Sequence, residues 1–128
     1  MAYLLDTNIV IRLRDGDAAI EDRVAALSAS TALSIITRIE LEGGAHRDPA
    51  NALARRARLD EILQGMPVLA FGDADADAYR KIVEAAGYSR RKVLDRMIAA
   101  QALVQRATLV TQNPADFQDI PGLDLVGW

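Results

Sequence analysis

Runs of apolar residues along the chain fall into two kinds, and their alternation predicts strands that alternate with helices. Short apolar or β-branched runs, of the length of buried strands, occupy residues 2–5, 32–36, 67–71, 108–110 and 123–126. Apolar residues recur at helical spacing over residues 9–13, 18–28, 51–63, 73–86 and 93–104. This alternation is typical of α/β domains with a mostly parallel sheet. We therefore expect residues 1–128 to form one α/β domain, with a central sheet of about four to five strands flanked by helices.

The segment after the second predicted strand offers a structural explanation for its first glutamate. Thr37 and Glu40 have the spacing of a capping box, in which the glutamate side chain accepts a hydrogen bond from the backbone N–H of the capping residue. On that interpretation the helix begins at Thr37 and ends at the Gly43–Gly44 pair. Glu40 would then serve the helix rather than a functional site.

The helix predicted over residues 51–63 separates apolar from basic positions. Its apolar residues are expected to face the core: Leu53, Leu59, Ile62 and Leu63. Its basic residues, Arg55, Arg56 and Arg58, are expected to face largely outward.

The reactive side chains that are present restrict the chemistry that this chain can perform. It has no cysteine and one histidine, His46, so thiolate ligands, His-rich zinc sites and His-paired catalytic triads are not expected. Catalysis would therefore depend on carboxylates. A bound metal would be a hard ion such as Mg²⁺ or Mn²⁺, which accepts oxygen ligands.

The hydrophobic pattern contains no sign of a membrane or export segment. Hydrophobic residues make up 51% of the chain, which is enough for a core, but no apolar run approaches the ~18 residues of a membrane span. The N-terminus lacks a basic leader, and Asp6 interrupts its apolar start. We therefore expect a cytoplasmic protein without membrane association.

Four acidic residues fall at ends of predicted elements, namely Asp6, Glu40, Asp95 and Asp116. Residues just beyond the carboxyl ends of parallel strands line one crevice, and Asp95 joins them if its helix points its N-terminus there. Carboxylates in one pocket repel each other, and a divalent cation offsets that repulsion. Such ions activate water for phosphodiester cleavage. The alternative is that these are unrelated helix caps and surface acids.

Basic residues close to these acids are candidates for contact with a phosphate backbone. The net charge is −3, so the chain as a whole does not attract nucleic acid. Arg90, Arg91 and Lys92 nevertheless precede the Asp95 helix, and Arg38 lies beside Glu40. A local basic patch beside an acidic pocket can hold RNA, although each cluster alone could equally be a solvated helix face.

Four motifs follow one another along the chain: LLDTN at residues 4–8, IELEGG at 39–44, DRMIAAQAL at 95–103 and TLVTQNPADF at 108–117. They resemble the motifs of PIN-domain nucleases, and most of all those of the VapC-type toxins of bacterial toxin–antitoxin pairs. Together they extend over essentially the whole chain. Four motifs in order are far more specific than any one of them.

The resemblance implies a PIN-like fold and a metal-dependent endoribonuclease. The four acids fall on the family's acidic positions and would hold Mg²⁺ or Mn²⁺. Thr7 and Asn113 match polar positions that support the acids or the bound water. The chain departs from many relatives at Val93, where they carry a further aspartate, so the third motif supplies one carboxylate.

The resemblance also implies specific partners. Relatives usually act as homodimers, and a cognate antitoxin of the VapB type inserts a segment into the pocket and silences the nuclease. A larger toxin–antitoxin complex is a further expectation. The substrate would be RNA.

Two other kinds of function compete with the nuclease interpretation. A phospho-acceptor signalling domain has a similar length and an acidic pocket, but it needs a lysine after a late strand. The two lysines, Lys81 and Lys92, follow no predicted strand. A non-catalytic binding module that keeps the pocket for a partner is the second alternative, and dependence of RNA cleavage on Mg²⁺ or Mn²⁺ would distinguish it from a nuclease.

Overall fold

The computed structural model describes residues 2–27 and 30–128, and its centre is a five-stranded parallel sheet. The strands are β1 (Tyr3–Leu5), β2 (Thr31–Ser34), β3 (Val68–Leu69), β4 (Thr108–Thr111) and β5 (Leu125–Gly127). The helices are α1 (Thr7–Arg14), α2 (Ala18–Ala26), α3 (Ile35–Arg47), α4 (Ala52–Gly65), α5 (Asp73–Ala86) and α6 (Val93–Gln105). Two 3₁₀ turns lie at Arg90–Lys92 and Pro114–Phe117. None of the helices in these ranges is long and apolar enough to cross a membrane.

Strand β1 lies at the point where the chain reverses its direction across the sheet. The strand order is β3-β2-β1-β4-β5, so the chain first builds outward on one side of β1 and then on the other. Leu5 pairs with Leu33 of β2 and with Val110 of β4. Ligand sites of open α/β sheets lie beyond the carboxyl ends of the strands at such a reversal point. The residue that follows β1 is Asp6.

The sheet buries apolar side chains on both faces. Because successive residues of a strand point to opposite faces, Leu4 contributes to one core cluster and Leu5 to the other. Helix α6 supplies Ile98 and its small alanine neighbours to the Leu4 side, whereas α1 supplies Ile9 and Val10 to the Leu5 side. Leu4 and Leu5 are completely buried, and each such burial contributes about 2 kcal/mol to folding. The segment around Asp6 is therefore held by packing on both sides.

The second strand ends earlier than its sequence pattern predicts, and the capping-box prediction is wrong. β2 ends at Ser34, whose hydroxyl accepts a hydrogen bond from the backbone N–H of Ile36 at 3.0 Å. Helix α3 therefore begins at Ile35, and Thr37 lies inside its first turn. The β-branched pair of Ile35 and Ile36 favours a strand locally, but a serine cap and burial of Ile36 override that preference.

The Gly43–Gly44 pair does not end the third helix, which continues to Arg47. Two glycines cost a helix about 2 kcal/mol relative to alanines. Ala45, which follows them, is almost completely buried, so the last turn of α3 packs against the core despite this cost. A Cβ at Gly44 would lie 3.3 Å from Nη1 of Arg14, so the absence of a side chain there also leaves room for the Arg14 guanidinium.

The prediction that Leu53 faces the core is also wrong, because its side chain is 88% exposed. Leu59 and Ile62 form the buried side of α4. Leu53 precedes Ile62 by nine residues, which at ~100° per residue places it about 180° around the helix. Arg55, Arg56 and Arg58 are half-buried rather than free in solvent, and they form ion pairs with acids of neighbouring elements.

The remaining predicted elements are confirmed, with shifts of a few residues at their ends. The helix predicted over residues 18–28 is α2, which ends at Ala26, and Ser28 lies outside the described residues. The predicted loop over residues 87–92 contains the Arg90–Lys92 turn. The last strand is at the edge of the sheet, as predicted, and pairs in parallel with β4.

Candidate active site

Asp6 lies between β1 and α1, and both of its carboxylate oxygens accept hydrogen bonds. It is the N-cap of α1, with Oδ1 accepting from the backbone N–H of Thr7 at 2.8 Å. Oδ2 accepts from the hydroxyl of Thr111 at 2.6 Å. Only 4% of the residue is exposed. The helix-cap interpretation of Asp6 is therefore correct, and it coexists with a position at the reversal point of the sheet.

The surroundings of Asp6 raise the pKa of its carboxyl. Burial has the largest effect and favours the neutral acid, while the hydrogen bonds from Thr111 and Thr7 oppose it. The charges of Glu40 and Asp116 raise the pKa further. A buried carboxylate with two acidic neighbours is unfavourable in its charged form, and a cation in this place would reverse that preference.

The Thr7 hydroxyl of α1 contacts two residues of α3, Thr37 and Glu40. The Thr7 hydroxyl donates to Oε1 of Glu40 at 3.0 Å, and the Thr7 and Thr37 hydroxyl oxygens are 2.8 Å apart. Because a hydroxyl has one proton to donate, Thr37 must donate to Thr7. Burial raises the pKa of Glu40, the Thr7 hydrogen bond lowers it, and the charge of Asp95 raises it. Glu40 therefore faces the other acids instead of capping its own helix.

Asp95, in the first turn of α6, has its pKa raised to about 6. Burial is the largest cause, followed by the charges of Asp6 and Asp116, and the nearby charge of Lys92 acts in the opposite direction. The N-terminus of α6 is thus directed at the same region as Asp6. The pKa of Asp95 is raised because burial and the two like charges together outweigh the nearby positive charge of Lys92.

Asp116 and Asp95 line a small open hollow together with two basic residues. The hollow has a volume of about 270 Å³, and Arg91 and Lys92 form its basic side. Asp116 belongs to the Pro114–Phe117 turn that follows β4. Carboxylates and cations thus lie side by side at the start of α6.

Neighbouring acids raise the pKa of Asp6, Glu40 and Asp95, but the acidic side chains do not form a preformed metal site. Across residues 2–27 and 30–128, no group of three acidic or histidine side chains is arranged to hold a metal ion. Mg²⁺ usually retains several waters and binds through one or two carboxylates, so its coordination does not require three converging side chains. The donor set is carboxylate oxygen throughout, which fits Mg²⁺ or Mn²⁺.

Thr111 is a site residue to which the sequence motifs alone attach no role. Its hydroxyl donates to Asp6, accepts from Nδ2 of Asn8 at 3.3 Å, and accepts from the backbone N–H of Asn113 at 3.1 Å. Asn113 thus reaches the network through its backbone, and its side chain is exposed. Since Leu5 pairs with Val110, the residues that follow them, Asp6 and Thr111, lie side by side. The pairing of β1 with β4 is therefore the feature that identifies Thr111 as a site residue.

The basic candidates divide into two groups by position. Arg91 and Lys92 line the acidic hollow. Arg90 is exposed in the same 3₁₀ turn. Arg38, also exposed, lies 3.7 Å from Glu42 one turn along α3. Arg91 and Lys92 are therefore the basic candidates that share a hollow with the acids.

Replacing Thr111 by Val is expected to raise the pKa of the Asp6 carboxyl, because it removes the hydrogen bond that favours the charged form. Thr111→Ser retains the hydroxyl and should leave the pKa near its wild-type value. Titration of the Asp6 carboxyl carbon by NMR measures the change. Thr108→Val, at the opposite end of β4, is the matched control. An unchanged Asp6 titration in Thr111→Val would show that the hydrogen bond does not act on this carboxylate.

Comparison with known proteins identifies the class. The family model of the PIN domain matches residues 3–123, so the chain belongs to the PIN-domain family. Its parallel sheet flanked by helices is the PIN fold. It is 28% identical to Ribonuclease VapC2 of Rickettsia felis over 134 aligned residues, which cover 100% of this chain and 98% of that protein.

Two solved structures are similar over the whole chain. The crystal structure of VapBC2 from Rickettsia felis, bound to a DNA fragment from its promoter, has a TM-score of 0.87 at 28% identity and covers 100% of this chain and 99% of the matched chain. The structure of VapBC-1 from nontypeable Haemophilus influenzae has a TM-score of 0.84 at 30% identity, with 100% and 98% covered. The resemblance read from the sequence motifs is therefore confirmed.

Proposed function

We propose that residues 1–128 form one PIN domain that acts as a divalent-metal-dependent endoribonuclease, the toxin of a toxin–antitoxin pair. The observation that carries this proposal is that acidic residues meet at the reversal point of the sheet and that their charges act on Asp6 and Asp95. The charges of Glu40 and Asp116 raise the pKa of Asp6, and those of Asp6 and Asp116 raise the pKa of Asp95. Such perturbed groups in one crevice are typical of functional sites. The similarity to Ribonuclease VapC2 supports RNA as the substrate.

The metal site consists of Asp6, Glu40, Asp95 and Asp116, with Mg²⁺ or Mn²⁺ as the ion. When bound, such an ion supplies a nucleophile by lowering the pKa of coordinated water, and it stabilises negative charge that develops on phosphate oxygens. The chain itself orients the ligands. The Thr7 backbone and Thr111 hold the Asp6 oxygens, and the Thr7 hydroxyl holds Glu40.

Arg91 and Lys92 are the side chains that bring the RNA backbone to the acids. Four carboxylates repel a phosphodiester anion, so the approach of RNA requires positive charge close to the site. Both residues line the hollow that contains Asp95 and Asp116. Arg90, in the same turn, and Arg38, on α3, are exposed and are proposed as further contacts to the RNA backbone.

A cognate antitoxin of the VapB type is the proposed partner, and it silences the site by direct occupation. The two solved relatives above are VapBC proteins. An open groove of about 620 Å³ passes Glu40. It is lined by the exposed apolar side chains of Ile11 and Ile39 and by three arginines, Arg14, Arg47 and Arg55. Such a mixed groove beside Glu40 is suited to an antitoxin segment that carries both apolar and acidic residues. We further propose that the protein is a homodimer in the cytoplasm.

The decisive experiment tests whether RNA cleavage requires a divalent ion. Purified protein is incubated with a labelled single-stranded RNA after dialysis against EDTA, and then with added Mn²⁺ or Mg²⁺. Cleavage is expected to fall to background in EDTA and to return with either ion, because four uncompensated carboxylates repel both the phosphate and each other. Cleavage at full rate in excess chelator would contradict the proposal.

A non-catalytic binding module remains the second candidate, and one observation favours it. Among the described residues, no three acidic side chains are arranged to hold a metal ion. A protein that binds only a partner would not need such an arrangement. Such a module would bind its antitoxin yet leave RNA intact at every metal concentration. The same experiment therefore separates the two functions.

A further inference from the structure

We propose that Arg96 and Asp119 are positioning residues, whose ion pair sets the spacing of Asp95 and Asp116 in the candidate metal site. Each partner lies close in sequence to one of these acids: Arg96 follows Asp95 on α6, and Asp119 lies three residues after Asp116. The inference rests on the proposed metal-dependent function, and it concerns residues outside the ligand set.

Arg96 joins three parts of the structure through one guanidinium group. Its side chain is 3% exposed. Nη1 donates to the backbone oxygen of Gly87 at 2.6 Å, and Nη2 donates to Oδ2 of Asp119 at 3.2 Å. Gly87 ends α5 with a φ of +82°, a conformation that favours glycine. The end of α5, the start of α6 and the segment after the Pro114–Phe117 turn are thus tied to one side chain.

Asp119 extends this connection to the basic side of the hollow. Its Oδ2 lies 3.6 Å from Nζ of Lys92 as well as 3.2 Å from Arg96. Lys92 lines the hollow with Asp95 and Asp116. The segment from Gly87 to Lys92 is therefore held at both ends, by the Arg96 contact to Gly87 and by the Asp119 contact to Lys92.

Stability alone does not account for an arginine at this position. Burial of a guanidinium removes it from water, and an apolar side chain of similar volume often packs at least as favourably in place of a buried ion pair. Within the described residues, Nε of Arg96 has no hydrogen-bond partner, so the burial is not fully compensated. The residue instead fixes the relative position of two elements, and each of those elements carries one of the acids.

Small displacements of these elements matter because Mg²⁺ requires near-ideal octahedral geometry. Groups that hydrogen-bond to metal ligands typically change affinity or activity by about 10–100-fold when they are removed. The Arg96–Asp119 pair is expected to act in the same direction through the segments that carry the ligands. The loss of the Arg96–Asp119 contact should therefore weaken metal binding while the sheet and its core remain intact.

The test measures Mn²⁺ binding and stability separately in Arg96→Met. This substitution removes the buried charge, and the remaining Asp119 side chain is 41% exposed, so the fold should tolerate it. Calorimetric titration is expected to show a Kd for Mn²⁺ raised about tenfold or more, with a thermal midpoint in EDTA close to that of wild type. RNA cleavage should be lost at low Mn²⁺ and recover at high Mn²⁺, which a general folding defect would not produce.

Two further variants keep the result interpretable. Asp119→Asn should weaken Mn²⁺ binding in the same direction, and it decides the matter if Arg96→Met does not fold. Arg80→Met is the matched control, because Arg80 pairs with Glu84 on the exposed side of α5, and it should bind Mn²⁺ like wild type. Wild-type Mn²⁺ affinity in both Arg96→Met and Asp119→Asn would overturn the inference. Failure of the wild-type protein to bind Mn²⁺ would instead overturn the proposed function and this inference with it.

Discussion

Asp6→Asn is expected to lower metal-dependent RNA cleavage by about 1000-fold or more while the protein stays folded. The amide removes one negative charge from the proposed ligand set. A metal ion stabilises the reacting groups by several kcal/mol. Since about 1.4 kcal/mol corresponds to a tenfold change in rate, loss of the ion should lower the rate by about three orders of magnitude. Asparagine has the shape of aspartate and is an equally good N-cap. Its side-chain oxygen can still accept from the Thr7 backbone, as Oδ1 of Asp6 does.

The measurement combines single-turnover cleavage of a labelled RNA with circular dichroism of the same samples. Asp17→Asn is the matched control, because Asp17 is the N-cap of α2 and accepts from the backbone N–H groups of Ala19 and Ile20. It makes the same chemical change at the same type of position outside the acidic cluster, so its cleavage rate should equal that of wild type. Wild-type cleavage by Asp6→Asn would exclude Asp6 as a metal ligand.

Asp95→Asn is expected to abolish cleavage as well, yet to make the metal-free protein more stable at pH 7.5. The folded protein raises the pKa of Asp95 from its ordinary value of 3.8 to about 6. The folded state therefore binds this proton more tightly than the unfolded state does. The associated stability is fully present below about pH 4 and is lost as the pH rises through 6. At pH 7.5 the charged Asp95 destabilises the folded protein, and the asparagine does not.

The expected gain is about 1 kcal/mol in the free energy of unfolding. Two pKa units correspond to about 3 kcal/mol at full strength, and screening by solvent reduces this for a half-buried group. In a domain of this size the thermal midpoint should rise by roughly 3 °C. The gain should shrink as the pH falls below 6 and vanish below about pH 4.

Thermal denaturation in EDTA, repeated between pH 3.5 and 7.5, measures this effect. Asp77→Asn, at an exposed position of α5, is the control and should change the midpoint little at any pH. Added Mn²⁺ should stabilise the wild type more than Asp95→Asn, because ligand binding to the folded state raises stability. A midpoint for Asp95→Asn below that of wild type at pH 7.5 without metal would contradict the predicted destabilisation by Asp95.

Much of the fold and the list of candidate acids can be read from the sequence, because both depend on residues close together along the chain. Apolar spacing over a few residues distinguishes strands from helices, and it correctly predicts the parallel α/β sheet and its edge strand. The same pattern places Asp6 and Asp116 just beyond strands. Local chemistry also misleads where two local signals compete: Ile35 and Ile36 favour a strand, but the Ser34 hydroxyl caps a helix there.

Contacts between distant segments were decided only by the tertiary structure, since they depend on strand order, register and helix direction. The register of β1 with β4 brings the Thr111 hydroxyl to Asp6, 105 residues away in sequence. The direction of α6 puts Asp95 beside Asp6 and Asp116, and burial there raises its pKa. The pairing of Arg96 with Asp119 is likewise absent from any local pattern. The sequence by itself determined which acids could act together, and only packing of the helices on the sheet decided which residues hold them in place.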